Sequence, residues 1–271
     1  MASLLRDLRY AGRMMRRNPG VTAAVLLCLA LSIGANTAVF SVVNAVLLRD
    51  LPYRDPARIV MVWNRFLGQD QPRLELSDLE LMDLREQVQS LADVAATRPG
   101  LFNLTGDGDD PELLVGVRVS ANLFQLLGVE AAVGRTFLPE EDDPGRGDVA
   151  ILSHGLYERR FNSDPSVIGR KVLISDKAYT VVGVTPPDFY FRRKPRDLWL
   201  PLVVDRAEPT PRDERYLEVY ARLKPGVTLE RAQADLDGVA RRLATANPGA
   251  YPPDSGYGLT LTSYPEEVVG T

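Results

Sequence analysis

VTAAVLLCLALSIGANTAVFSVVNAVLL, residues 21–48, is a run of 28 residues without one charged side chain. At about 1.5 Å per residue, a helix of this length would measure roughly 42 Å, more than the ~30 Å hydrocarbon core of a bilayer. A cleaved signal peptide has an apolar core of only ~7–15 residues. We therefore predict a retained transmembrane helix over residues 19–48, with Asn36 and Asn44 as its intramembrane polar residues.

The charges on either side of this run are unequal. Residues 1–18 carry five arginines against Asp7, whereas the chain from Arg49 onward carries 27 Lys and Arg against 35 Asp and Glu. The positive-inside rule places such a basic segment in the cytoplasm. We predict a cytoplasmic amphipathic basic segment over residues 1–18 and an extracytoplasmic remainder over residues 49–271. The basic segment is either a generic topology signal or a surface that also meets a cytoplasmic partner.

The chemistry available to this chain is limited. It has 271 residues, of which 45% are apolar and 25% charged, which is typical of a folded protein. One cysteine, Cys28, excludes an internal disulfide framework, and one histidine, His154, excludes two-histidine metal motifs. No P-loop sequence is present, so any ATP must be hydrolysed by another chain. We predict no catalytic residue, no cofactor and no metal ligand.

Three short motifs have a plain and a functional interpretation. Glu140–Asp143 is an acidic cluster, which we interpret as a solvated loop rather than a calcium site. Ser153 and His154 are interpreted as a helix N-cap and a surface histidine, because adjacent residues do not face each other as nucleophile and base. The basic residues 192–194 beside the aromatic residues 189–191 are interpreted as a loop next to a partly buried corner, rather than as a nucleic-acid or lipid patch.

The extracytoplasmic part alternates between strand-like and helix-like patterns, which predicts an α+β fold with two subdomains. The predicted strands are Arg58–Trp63, Leu113–Val119, Val149–Leu152, Val172–Ile174, Tyr179–Val184, Leu198–Val203, Leu217–Leu223 and Leu259–Thr262. A capping box at Ser77 and Glu80 starts one helix, in which Val88 and Leu91 are expected to face inward. Thr228 caps a second helix that ends at Asn247 and Pro248; shorter helices are predicted over residues 153–161 and 122–127. Gly226 is expected to occupy a tight turn with positive φ.

Several stretches resemble the MacB-type ABC transporter permeases of the FtsX-like permease superfamily, in the order that those proteins have. They are residues 13–63, which are similar to the first membrane helix and its exit, and VSANLFQLLGVEAAVGRTFLPEED (119–142), VAILSHGLYERRF (149–161), DPSVIGRKVLISDKAYTVVGVTPPDF (164–189), LWLPL (198–202) and LEVYARLKPGVTLERAQADL (217–236), which are similar to the periplasmic core domain. The sequence looks most like the permeases of this type that lack a fused ATPase.

The resemblance implies a permease subunit of an export or efflux system in the cell inner membrane, which is not an enzyme. It implies a separate ABC ATPase as partner, a homodimer or paired permease, and a periplasmic adaptor, with no nucleic acid. Arg13, Arg16 and Arg17 would lie near the ATPase contact or the membrane surface. In the family three more membrane helices follow the periplasmic domain, and the sequence stops at Thr271. We therefore expect either the N-terminal part of a permease or, as the alternative, a single-span anchored module for binding or assembly without transport.

Overall fold

The computed structural model describes residues 19–43, 53–106, 110–191 and 195–269. Its internal contacts divide the chain into two units, Met1–Asp50 and Leu51–Thr271. The first contains helix α1, Pro19–Val43, which falls in the predicted membrane segment. Among the described residues, no helix combines the length and the hydropathy that crossing a membrane requires. The transmembrane helix therefore stays a prediction.

The second unit is a mixed α/β domain, as the alternating pattern predicts. Its strands are β1 (Ile59–Phe66), β2 (Gln71–Leu74), β3 (Leu91–Thr105), β4 (Glu112–Val119), β5 (Val133–Gly134), β6 (Val149–Leu152), β7 (Lys171–Ile174), β8 (Lys177–Val184), β9 (Leu198–Pro201), β10 (Glu218–Leu223) and β11 (Tyr257–Ser263). Its helices are α2 (Asp78–Gln87), α3 (Leu123–Leu127), α4 (His154–Phe161), α5 (Leu229–Ala246) and α6 (Tyr264–Val269). The strands form one sheet in the order β11-β1-β10-β3-β4-β9-β6-β8-β5, with β2 beside β1 and β7 beside β3 and β8.

The part that we call the helix-covered half consists of β11, β1, β10 and the first half of β3, which pair antiparallel. Helices α2 and α5 cover one face of this sheet. The stripe predicted on α5 is buried there, including Ala232, Leu236 and Val239. Apolar residues recur along α5 with the helical period of 3.6 residues, and Val60 and Val62 point to the same face of β1. These two apolar faces pack together and form the layer.

The part that we call the barrel half closes on itself. The second half of β3 pairs with β4, which is followed around the ring by β9, β6, β8 and β7, and β7 returns to the end of β3 at Leu104 and Thr105. The interior is apolar and includes Leu114, Leu152 and Val181. Closure removes the open edges that a six-stranded sheet would otherwise have.

Strand β3 is shared by both halves and was not predicted. Residues up to Thr97 pair with β10, and those from Thr97 to Leu104 pair with β4. Pro99 has no backbone N–H to donate. It lies just beyond Thr97, the last residue of β3 that pairs with β10, so no hydrogen bond to β10 is lost there. Because Pro99 and Gly100 are strand-breaking residues, the pattern concealed the longest strand of the domain.

Local predictions were mostly confirmed, with one correction. Gly226 has the predicted positive φ, 75°, and Ser175 and Asp176 form the hairpin turn between β7 and β8 with φ of 47° and 65°. The helix that begins after Ser77 is shorter than predicted. Val88 is its C-cap, with extended backbone, and Leu91 begins β3. Both side chains are buried, as predicted, but they belong to the end of the helix and the start of the next strand rather than to one continuous helix.

Candidate functional site

The two ends of the domain meet in a group of aromatic rings. Tyr53, the first described residue of the domain, lies 5.7 Å from Tyr264, which begins the last helix, measured between ring centroids. Tyr264 is fully buried and packs edge-on against Tyr220 of β10, also at 5.7 Å. Aromatic pairs at these separations stabilise by ~0.5–1.5 kcal/mol beyond the area that they bury. The first and last described segments of the domain are thus joined through side chains.

The same rings continue into the barrel half. Phe189 lies 6.3 Å from Tyr53 and 5.5 Å from Trp199 of β9, and Phe124 of α3 packs against both Phe189 and Trp199. Trp199 is buried on the outer face of the barrel. We call the set the aromatic junction; its members are Tyr53, Phe124, Phe189, Phe191, Trp199, Tyr220 and Tyr264. It connects both ends of the domain with both of its halves.

The loop that supplies Phe189 was predicted as a partly buried aromatic corner. Phe189 and Phe191 are buried, whereas Tyr190 between them is 52% exposed. The hydroxyl of Tyr53 donates to the carbonyl oxygen of Tyr190 at 3.0 Å, which fixes the loop to the start of the domain. The basic residues 192–194 lie outside the described residues.

A cleft of about 630 Å³ separates α2 from the loops that leave the barrel half. Its walls combine apolar and charged side chains: Leu81, Met82, Arg85, Glu86, Ser120, Pro139, Asp142, Asp143, Pro144, Leu202, Val204, Asp205, Arg206 and Ala207. A cavity of this size falls within the range of small-molecule sites.

The acidic cluster 140–143 is only partly the solvated loop that the sequence indicated: Glu140 and Asp143 are exposed, whereas Glu141 and Asp142 are not. Glu141 is 6% exposed and accepts from the guanidinium of Arg135 at 2.6 Å and from the N–H of Leu138 at 2.8 Å. Asp142 accepts from the N–H of Ala121 at 2.7 Å. The prediction was therefore wrong for Glu141 and Asp142. Glu141 takes the N3 position of a capping box with Leu138, and Ala121 is distant in sequence from Asp142.

Burial also changes the chemistry of the cleft. Desolvation raises the pKa of Asp142 to about 6, against the opposing effects of the Ala121 hydrogen bond and the charge of Arg85. Arg85 is anchored by donating to the Val94 carbonyl oxygen at 3.2 Å and to the Ser120 hydroxyl at 3.1 Å, and burial lowers its pKa. The cleft therefore holds a carboxyl group whose pKa is raised to about 6, beside a guanidinium held by hydrogen bonds.

A second buried polar group lies under α2. Glu80 is 1% exposed and accepts from Asn64 at 2.8 Å, from the Ser77 N–H at 2.8 Å and from the Tyr251 hydroxyl at 2.7 Å. Arg215 approaches the same carboxylate at 3.7 Å. The predicted capping box is therefore also a tertiary link between α2, β1 and the segment after α5.

The remaining motifs have structural roles. The Ser153 hydroxyl accepts from the Leu156 N–H at 2.9 Å, which confirms the predicted N-cap, and His154 lies 3.4 Å from Glu158. Within the described part of the chain, no three His, Cys, Asp or Glu side chains are grouped to hold a metal ion.

None of the residues predicted to contact membrane or ATPase can be located in the structure. Arg13, Arg16, Arg17 and Asn44 lie outside the described residues. Asn36 falls within α1, but its side chain is not described. These assignments stay predictions.

The fold and the junction define a mixed α/β domain whose first and last described segments lie side by side, and the family follows from the sequence. Residues 22–239 match the family model described as the MacB-like periplasmic core domain. The match covers well over half of the chain, so the protein belongs to this family, the periplasmic core domains of MacB-like ABC transporter permeases. The resemblance found in the sequence is thereby confirmed.

Three solved structures share the fold of this chain. A domain of a putative permease from Porphyromonas gingivalis is 17% identical with a TM-score of 0.57, over 78% of this chain and 93% of that one. The periplasmic region of MacB from Actinobacillus actinomycetemcomitans is 12% identical with a TM-score of 0.56, over 80% and 94%. The extracellular domain of the noncanonic ABC-type transporter YknZ from Gram-positive bacteria is 11% identical with a TM-score of 0.54, over 75% and 99%. Among proteins with curated descriptions, none matches this sequence.

Proposed function

We propose that this chain is a permease subunit, or the N-terminal part of one, of a MacB-type ABC export system, and that it transmits ATPase-driven motion into its extracytoplasmic domain without chemistry of its own. The ATPase would be a separate subunit, the permease would work as a homodimer or in a pair, and a periplasmic adaptor would complete the assembly. The protein would reside in the cell inner membrane with its N-terminus in the cytoplasm.

The aromatic junction is the observation that carries this proposal. Mechanical transmission needs the segments that receive motion to be coupled to the body that moves. Tyr53 and Tyr264 belong to the first and last described segments of the domain, and their rings are 5.7 Å apart. Through Phe189 and Trp199 the same packing reaches the barrel half. Close-packed interiors transmit displacement rather than absorb it.

The membrane anchor is supported by the composition and exposure of α1. Leu27, Leu29, Leu31 and Ile33 are each more than half exposed, and residues 21–48 carry no charge. Lipid would cover such a surface, since exposed apolar area in water costs ~25 cal/mol per Å². A Leu29→Asp substitution should cost about 2.5–3.5 kcal/mol of insertion and reduce the membrane-bound fraction. Unchanged carbonate-resistant membrane yield would contradict the anchor.

The first test is co-purification in detergent of the natural full-length product with an ABC ATPase encoded beside it, followed by measurement of ATP hydrolysis. We expect stable association and a change in the rate of hydrolysis. A protein that binds no ATPase would contradict the transport proposal.

Coupling through the junction can be tested in the same complex. Tyr264→Leu removes the ring contacts to Tyr53 and Tyr220, whereas Phe161→Leu removes a buried ring from the barrel core outside the junction. We expect the junction variant to lose the effect of the permease on ATP hydrolysis and the core variant to retain it. Equal losses would mean that the junction only stabilises the domain.

The cleft favours a second candidate, an anchored extracytoplasmic module that binds a ligand or assembles a complex without transport. Its volume of about 630 Å³ suits a small molecule. A natural reading frame that continues into three apolar runs of ~20 residues would support the permease. A natural product that ends at Thr271 and does not bind the ATPase would support the anchored binding or assembly module.

A further inference from the structure

Basic side chains gather where the domain begins. Arg222 of β10 donates through Nε to the Leu126 carbonyl oxygen at 2.8 Å and through Nη2 to the carbonyl oxygen of Arg54. Arg58 donates through Nη2 to the Leu223 carbonyl oxygen at 2.6 Å. These bonds fix both guanidinium groups against the first segment of the domain. Arg54 and Lys224, next to them in the chain, are exposed.

The positive charge of this group is only partly compensated. The hydrogen bonds of Arg58 and Arg222 described above go to neutral carbonyl groups rather than to carboxylates. Asp55 approaches Arg58 at 3.7 Å but is exposed, and Asp93 is the other acidic residue that acts on Arg222. Burial lowers the pKa of Arg222, and the neighbouring charges of Arg58 and Arg54 lower it further. Excess positive charge therefore remains, although the chain from Arg49 onward is acidic overall.

An exposed amphipathic ring, that of Tyr190, belongs to a loop that is hydrogen-bonded to the same first segment of the domain. Tyr190 is 52% exposed, and its carbonyl oxygen accepts from Tyr53, the residue before Arg54. Tyrosine is enriched at the level of lipid headgroups, because its ring is apolar and its hydroxyl is polar. We call the set of Arg54, Arg58, Tyr190, Arg222 and Lys224 the basal surface.

We propose that the basal surface binds the headgroups of anionic phospholipids in the leaflet that faces the domain. Only five residues separate Leu48, the last residue of the uncharged run, from Arg54. With at most ~3.6 Å per residue, this connection is short enough for the basal surface to reach the membrane from which an anchored chain emerges. The inference rests on the proposed membrane anchor. It adds a function for the domain itself, which would be held against the membrane by its own charges.

Magnitudes favour a lipid surface as the partner. Each basic residue near an anionic leaflet strengthens association about fivefold, and the effect falls off within a Debye length of ~10 Å. The connection from Leu48 to Arg54 spans at most ~20 Å when extended, so it allows the basal surface to come within that distance of the membrane. A fixed pair of guanidinium groups also loses little freedom when it meets phosphate.

The test uses the full chain, residues 1–271, inserted into vesicles of phosphatidylcholine with or without phosphatidylglycerol. Photoreactive benzoylphenylalanine replaces Tyr190, and in a second protein it replaces Leu113, which is 62% exposed on the barrel half. Crosslinking to lipid is quantified by mass spectrometry. We expect the yield at position 190 to be at least about fivefold higher with phosphatidylglycerol, and the yield at position 113 to be insensitive to it.

Matched double variants isolate the charges. Arg54→Glu with Lys224→Glu should abolish the preference for phosphatidylglycerol at position 190. Arg146→Glu with Arg241→Glu makes the same change in net charge at exposed positions elsewhere and should leave the preference intact. High salt should weaken the preference in the unaltered chain, which tests the electrostatic origin without a substitution.

The outcomes separate the two proposals. A chain that carbonate strips from both kinds of vesicle contradicts the anchor and, with it, the lipid contact. A chain that stays inserted but crosslinks equally with and without phosphatidylglycerol overturns the lipid contact alone. Retained preference in the Arg54→Glu, Lys224→Glu variant overturns it as well.

Discussion

The helix-covered half and the barrel half are held together by different means. Around Glu80, the helix-covered half buries a carboxylate with four partners from four separate segments. The barrel half has an apolar interior and brings its strands close through glycine, as where Gly183 of β8 faces Arg135. The helix-covered half should therefore lose stability when a polar partner is removed, and the barrel half when the distance between neighbouring backbone segments is changed.

The largest expected effect is that of Glu80→Ala. It leaves Tyr251 without its acceptor, Asn64 with only the Glu75 carbonyl oxygen, and Arg215 without its nearby carboxylate. Removing one member of a buried charged group costs about 3–5 kcal/mol. Urea denaturation of the purified chain measures the loss. Glu86→Ala, on an exposed position of the same helix, should stay within about 0.5 kcal/mol. Equal effects would show that helix propensity, not the polar group, stabilises this half.

The corresponding change in the barrel half is Gly183→Ala. An added Cβ would overlap the Arg135 carbonyl oxygen, a backbone atom of the neighbouring segment. Overpacking of this kind costs about 1–3 kcal/mol, and hydrogen exchange should accelerate in β5 and β8. In Gly155→Ala the nearest atom is 3.9 Å away, so this helical control should be neutral or stabilising. Unchanged exchange in Gly183→Ala would mean that the strands can separate freely.

The same contrast explains how far the sequence could predict the fold. Local sequence signals were sufficient where an N-cap residue is followed by apolar residues with helical spacing, as after Ser153 and Thr228. They failed for β3, in which Pro99 and Gly100 interrupt the pattern of a strand stabilised by partners distant in sequence. Barrel closure depends on the pairing of Leu104 with Ile174, which no short window contains.

The candidate site was less predictable than the fold. The pair of Tyr53 and Tyr264 is separated by nearly the whole domain in sequence, and single tyrosines give no signal of their own. The acidic cluster gave a misleading signal, since the partner of Asp142 is the N–H of Ala121. Only the aromatic corner at Phe189 was visible in advance, because three aromatic residues stand together there.

Asp142 lies in the cleft beside α2 and gives an intermediate effect. Its folded-state pKa of about 6 exceeds the ordinary value of 3.8, so the folded protein binds more protons between these values. Stability contributed by this group therefore falls as pH rises from about 4 to about 6. Asp142→Asn should remove this slope and stabilise the protein at pH 8 by on the order of 1 kcal/mol, with no gain at pH 3.

The control for this pH dependence is Asp176→Asn in the exposed hairpin turn, where asparagine tolerates the φ of 65°. It should leave the slope unchanged. Thermal denaturation followed from pH 3 to pH 8 compares the three proteins. A wild-type slope that survives in Asp142→Asn would assign the effect to another group.

The smallest effects compare one helix cap in each half. Ser153 is half-buried and accepts from Leu156 at 2.9 Å, whereas Thr228 is exposed and accepts from Arg231 at 3.3 Å. Replacing either by alanine should cost about 1 kcal/mol, with the larger loss at Ser153 because water cannot readily replace a half-buried acceptor. Asparagine at each position retains an acceptor and should restore most of the stability. A larger loss at Thr228 would mean that α5 depends on its cap more than α4 does. The effect of a cap on stability would then be set by the packing of its helix against the sheet, and not by the burial of the cap residue.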